Sequence, residues 1–178
     1  MDPNLSYHSL DHTIDVFEAA HRIAKSERRT DEEIELIKTA ALMHDTGFLV
    51  QYFKNEPEAC RLSAEWLPRF GYSQEQIAQI CRMIMATCIP QTPEGHLAQI
   101  ICDADLDYLG RKDFYTIGQR LYQEFLLHGV VDGEENWNRL QVSFLQGHDY
   151  FTSTSVSTRN AIKMRHLEEL KNLVNSYI

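Results

Sequence analysis

Between a small number of breaking points this chain repeats apolar residues every three to four positions, a period that suits helices and almost nothing else. Its eight glycines and five prolines gather at a few places, and the intervals between them show no sustained alternation. An all-α fold is therefore expected, a compact bundle of about eight helices. Segment 12–28 places His12, Val16, Ala19, Ala20 and Ile23 on one stripe, and segment 31–45 places Ile34, Ile37, Ala41 and His44 on another. Thr30 and Glu33 form a capping box ahead of the second helix, and Ser73 with Gln76 does the same for 73–87. Helices are also expected over 57–69, ended by Gly71, and over 96–109, ended by Gly110, with a loop at 90–95 between 73–87 and 96–109. Segments 113–127, 134–146 and 156–175 complete the set. At about 100–200 residues per domain, the 178 residues read as one domain spanning 1–178. The amphipathic segment 156–175 either packs on its own core or forms a homodimer interface.

Charge and composition narrow the partners. Seventeen Lys and Arg against twenty-six Asp and Glu leave a net charge of −9, which repels polyanions, so no nucleic-acid polymer is expected. The amino-terminal residues carry neither a basic nor an apolar leader region. No run approaches the roughly 18 apolar residues of a membrane span, so no membrane partner is expected. The cysteines at 60, 81, 88 and 102 never form C-x-x-C and sit among apolar neighbours, as reduced thiols of a cytoplasmic protein do.

Two His-Asp pairs occur, His44-Asp45 and His148-Asp149. His44 lies on a core-facing stripe, whereas the second pair follows Gly147 in an expected loop and is set aside. Burying an imidazole beside a carboxylate is costly unless a partner such as a divalent cation compensates. His12 also points inward. Of the three aspartates at 103, 105 and 107, helical geometry turns Asp105 about 40° from Ile101, but Asp103 about 200° and Asp107 about 240°. Asp105 is thus the one expected on the apolar face. Two imidazoles and two carboxylates on three helices suit a divalent ion such as Mn²⁺, Fe²⁺, Zn²⁺, Ni²⁺ or Mg²⁺, with positions left for water and hydrolysis.

The series His12, then Ala41-Leu42-Met43-His44-Asp45, then Asp103-Ala104-Asp105 resembles the HD-domain metal-dependent phosphohydrolase superfamily. Tyr7-His8-Ser9-Leu10-Asp11-His12 is similar to the Y-H-x-x-x-H stretch of its cyclic nucleotide phosphodiesterase branch. The resemblance covers about residues 7–110 and leaves helices 113–178 to complete the domain. It implies that His12, His44, Asp45 and Asp105 hold one divalent ion tightly (Mn, Fe, Ni, Zn, Co or Mg), with Asp45 able to reach a second. It also implies that His8 is the general acid, with Glu56 the alternative. Many members carry further histidines after His-Asp, but none stands between His44 and His96 here. The implied reaction is hydrolysis of a small anionic phosphate mono- or diester, a nucleotide or cyclic nucleotide first among them, by water whose pKa the cation lowers from 15.7 towards about 7. The nearest cations in sequence for such an anion are Arg111 and Lys112. The rival expectation is a non-catalytic metal-binding module with a regulatory or protein-interaction role.

Overall fold

The structure is a computed structural model that describes residues 4–177. Among them are eight α-helices and no strand: α1 Leu10–Ser26, α2 Asp31–Met43, α3 Asn55–Trp66, α4 Gln74–Ala86, α5 His96–Asp105, α6 Phe114–Leu127, α7 Glu134–Gly147 and α8 Ser153–Asn175. Both expected capping boxes form: the Thr30 and Ser73 hydroxyls accept from the Glu33 and Gln76 amides, and those side chains accept from the cap amides in return.

Helix α1 lies two residues earlier than the expected 12–28, α2 stops at Met43 short of 45, α3 starts two residues before 57, and three further boundaries differ. Segment 57–69 leaves the α-helix after Trp66, where Pro68 opens a 3-10 turn at Leu67–Phe70 that ends on Gly71 with φ of 86°. Segment 96–109 ends as α-helix at Asp105 and continues as a 3-10 turn, Asp107–Gly110. The last helix begins at Ser153 because the Thr152 hydroxyl accepts from the Ser155 amide.

Helices α1 to α5 enclose one apolar core, including Val16, Ile23, Ile37, Ile80, Ile84 and Ile101. A second core joins Tyr7 to Leu109, Phe114, Leu145, Leu167 and Leu170 of the later elements. The end of α5 lies in the seam between the two. For that reason the single-face expectation for its aspartates is wrong in one respect. Asp103 and Asp107 are 0% and 2% exposed, because residues 151–152 and Arg159 of α8 return over the end of α5 and the turn that follows it. Asp103 accepts from the Phe151 and Thr152 amides and the Thr152 hydroxyl. Asp107 accepts from Arg22 and Arg159, both at 2.8 Å. A Cβ on Gly110 would come within 2.5 Å of the Arg159 backbone oxygen, so only glycine lets the 3-10 turn close this tightly on α8. Asp103→Ala strands three donors and is expected to cost at least about 3 kcal/mol in chemical denaturation, while leaving metal content unchanged.

Glu27, at the carboxyl end of α1, accepts from the Ser153 hydroxyl and the Thr154 amide at the start of α8. The Thr154 and Ser153 hydrogen bonds hold its carboxyl down at about 2, outweighing its burial, and His96 adds to them. Its folded pKa lies below its unfolded value, so its contribution is complete above pH of about 4.5 and is lost as pH falls towards 2. In urea titrations at pH 7 and pH 3, Glu27→Gln should therefore destabilise the protein at pH 7 and do so much less at pH 3.

Candidate metal centre

Three helix ends meet at the seam. His12 comes from the first turn of α1, His44 follows the last residue of α2 with Asp45 beside it, and Asp105 closes α5. One ligand atom each from His12, His44 and Asp105 lies within 4.8 Å of the others. Asp105 Oδ1 is 3.2 Å from His12 Nε2 and 3.5 Å from His44 Nε2. Asp45 Oδ2 is 3.4 Å from His12 Nε2 and 3.2 Å from His44 Nε2. Atoms held about 2.1 Å from one ion sit about 3.0 Å apart across an octahedral edge and about 3.4 Å apart across a tetrahedral one, so these separations suit a shared cation. Alignment agrees with spacing: His44 Nε2 and Asp45 Oδ2 are buried without a hydrogen-bond partner although close together. With no hydrogen bond between them, both buried atoms are left unsatisfied, and a cation in their midst would satisfy both.

The surroundings fix this arrangement. His44 Nδ1 lies 2.9 Å from the Ala41 carbonyl, which makes Nδ1 the donor and frees Nε2 for a metal. Tyr7 covers His12, ring centroids 4.6 Å apart. Asn55, in the first turn of α3, donates to Asp45 Oδ1 at 3.4 Å and leaves Oδ2 for the centre. A Cβ on Gly47 would come 1.8 Å from the Asn55 carbonyl oxygen, so glycine there lets α3 approach closely enough for Asn55 to reach Asp45. Burial opposes charge on His44, but the Asp45 and Asp105 carboxylates outweigh it and raise its pKa well above the ordinary value. The imidazoles hold the Asp45 and Asp105 carboxyls low against their own burial. A cation binding here therefore competes with a proton for His44. Titration calorimetry in buffers of different ionisation enthalpy should show protons released on binding, with affinity falling as pH drops.

A cavity of about 360 Å³ opens on this centre, with Asp45, Asp105 and His8 in its lining. His8 stacks on Phe48, centroids 4.1 Å apart, and lies 6.1 Å from the His12 ring. Its Nδ1 makes a short hydrogen bond to the Glu124 carboxylate, leaving Nε2 as the free ring nitrogen. Glu124 is fully buried and also accepts from the Tyr7 amide at 2.9 Å, the His8 amide at 3.1 Å and the Tyr52 hydroxyl at 3.2 Å. Burial opposes the imidazolium, but Glu124 more than compensates, so the His8 pKa is raised and that of Glu124 lowered.

Other candidates are placed differently. Glu56 lines the cavity. Arg111 does not, being held by Asp15 at 2.7 Å and Asp113 at 2.6 Å, and Lys112 is exposed and also outside the lining. His148 is apart from the centre: its carbonyl accepts from the buried Lys163 ammonium, and burial together with that charge pushes its ring pKa down to about 4. Glu124 escaped the sequence reading although its signal was present. It falls seven residues after Ile117, about 20° away on the helical wheel, and so sits as squarely on an apolar stripe as Asp105 does.

The HD domain family matches residues 9–107, more than half of the chain and the stretch holding His12, His44, Asp45 and Asp105. The chain belongs to the HD domain family. No curated protein matches it. Its fold is similar to the crystal structure of a predicted HD superfamily hydrolase from an uncultured Thermotogales bacterium, with a TM-score of 0.60, 18% identity, and coverage of 96% of this chain and 82% of that one. The HD-type all-α fold expected from the sequence is thus observed. No described helix is long and apolar enough to cross a membrane.

Proposed function

We propose that the protein is a metal-dependent phosphohydrolase that cleaves a small phosphate mono- or diester. The observation that carries this reading is the convergence of two imidazole nitrogens and two carboxylate oxygens beside a cavity, with His44 Nε2 and Asp45 Oδ2 buried and lacking a hydrogen-bond partner. His12, His44, Asp45 and Asp105 hold the ion. A bound divalent cation supplies Lewis acidity and a water of lowered pKa at neutral pH. The protein's own residues do the rest. Asp45, with Oδ1 tied to Asn55, accepts a hydrogen bond from the attacking water through its other oxygen and orients it. As the bond from water oxygen to phosphorus forms and the ester bond breaks, His8 Nε2 gives its proton to the departing oxygen. Glu124 holds His8 charged and aimed. His8 is preferred to Glu56 as the acid because Glu124 fixes its ring through Nδ1 and raises its pKa, which favours the protonated form that a general acid needs.

Nucleotides and cyclic nucleotides enter the first trial because Phe48 and Tyr108 line the cavity with rings on which a base can stack. Four free cysteines support a reducing, cytoplasmic setting. The test is phosphate release by the metal-loaded protein from nucleotides, cyclic nucleotides, phosphodiesters, sugar phosphates and simple alkyl phosphates, with Mn²⁺, Mg²⁺, Ni²⁺ or Co²⁺. Metal-dependent turnover of any of these is expected. Bound metal without turnover across the whole set would instead point to a non-catalytic module.

A further inference from the structure

The cavity beside the metal centre has a chemistry that the family match does not specify. Resting on the phosphohydrolase reading, we propose that it takes an apolar organic group, so that the substrate is a monophosphate ester of an aliphatic or aryl alcohol.

The lining is the first reason. Its far wall, from α6 and α7, consists of Leu121, Phe125, Trp137, Leu140, Phe144 and Leu145, interrupted by Gln141. The ionisable groups in the lining besides the tyrosines are His8, Asp45, Glu56 and Asp105, and no Lys or Arg is among the lining residues. Apart from His8, whose charge is paired with Glu124, a second or third phosphate would meet carboxylates with no Lys or Arg in the lining to balance it, which disfavours nucleoside di- and triphosphates.

The second reason is that three polar side chains of the lining already commit a donor inside the protein. Gln141 Nε2 donates to Asn138, the Thr87 hydroxyl to the Ile84 carbonyl, and Asn55 Nδ2 to Asp45. Sugar hydroxyls and base edges buried there would find few donors, and each group left without a partner weakens binding roughly 5- to 100-fold. An alkyl or aryl group has no such requirement.

The mouth is the third. Ile89, Val130 and Leu140 belong to the lining, yet are 53%, 40% and 38% exposed, so the entrance itself is rimmed by apolar surface. Apolar residues gathered at the rim of a cavity mark the path of an apolar ligand. The volume of about 360 Å³ falls within the range of small-molecule sites, about 300–1,000 Å³.

The test separates this inference from the reading it rests on by measuring binding without turnover. Alkyl phosphonates cannot lose their organic group by ester hydrolysis. Methyl, butyl, hexyl and octyl phosphonate would be titrated by calorimetry into the Mn²⁺-loaded full chain, alongside AMP, cyclic AMP and glucose 6-phosphate. Affinity should rise about three- to fourfold per added methylene until the cavity is full, and hexyl phosphonate should bind at least tenfold more tightly than the sugar phosphate or either nucleotide. Leu140→Asn, a rim change at a half-open position that the fold should tolerate, is expected to reduce the octyl-over-methyl preference about threefold or more, with metal content intact. A flat dependence on chain length, tighter binding of a nucleotide, or no phosphonate binding up to millimolar concentration would each overturn the inference. Steep chain-length dependence without hydrolysis of any ester would uphold the cavity assignment and remove the hydrolase. Turnover of nucleotides with a flat phosphonate series would do the reverse.

Discussion

His44→Ala is expected to abolish tight metal binding and lower turnover by about a thousandfold or more, since it removes the Lewis acid on which several kcal/mol of transition-state stabilisation depend. His44 is 2% exposed, and its Nε2 has no hydrogen-bond partner among the described residues. Asp45→Ala should behave alike, and there the Asn55 amide also loses its acceptor. A chelator provides an independent check. An ion present at a hundred times its dissociation constant stabilises the folded state by about 2.7 kcal/mol, so stripping it should lower the melting temperature of the wild type and leave that of His44→Ala unchanged. Equal responses to chelation in the two proteins would show that the ion is held elsewhere.

The second large effect concerns the proton. His8→Ala should keep the metal and reduce turnover about 10²- to 10⁴-fold, the range for loss of a positioned general acid. Glu124→Gln is subtler because Glu124 acts through His8. The carboxylate raises the His8 pKa, and a general acid works only while protonated, so activity is retained below that pKa and lost as pH rises through it. Neutralising Glu124 lowers the His8 pKa, and the alkaline limb of the pH–rate profile should move to lower pH. A purely structural role for Glu124 would reduce the rate at every pH and leave the limb in place. Unaltered turnover in His8→Ala would remove the histidine from the mechanism and turn attention to Glu56.

Much of this was legible in the chain because local chemistry and packing agree over its first hundred residues. Capping boxes at Thr30 and Ser73 mark helix starts, and a polar residue on an apolar stripe, as at His12 and His44, marks a place where burial demands a partner. The aspartates of α5 show the limit of the same logic. Helical phase singled out Asp105, yet it cannot reveal that Thr152 and Arg159 return to engage Asp103 and Asp107, because those contacts join residues about fifty positions apart. Arg111 followed from nearness in sequence, whereas in space Asp15 and Asp113 claim it. Glu124 lay the other way round: its phase was readable, but its partner His8 is 116 residues distant, so only the fold shows what it serves.

The central claim is that His12, His44, Asp45 and Asp105 form one cation site. Metal content by elemental analysis, after loading with Mn²⁺ and exhaustive desalting, tests it most directly when wild type, Asp105→Ala and Asp103→Ala are measured side by side. The expected result is about one ion per chain in the wild type and in Asp103→Ala, and almost none in Asp105→Ala. No ion in the wild type, or full occupancy in Asp105→Ala, would contradict it.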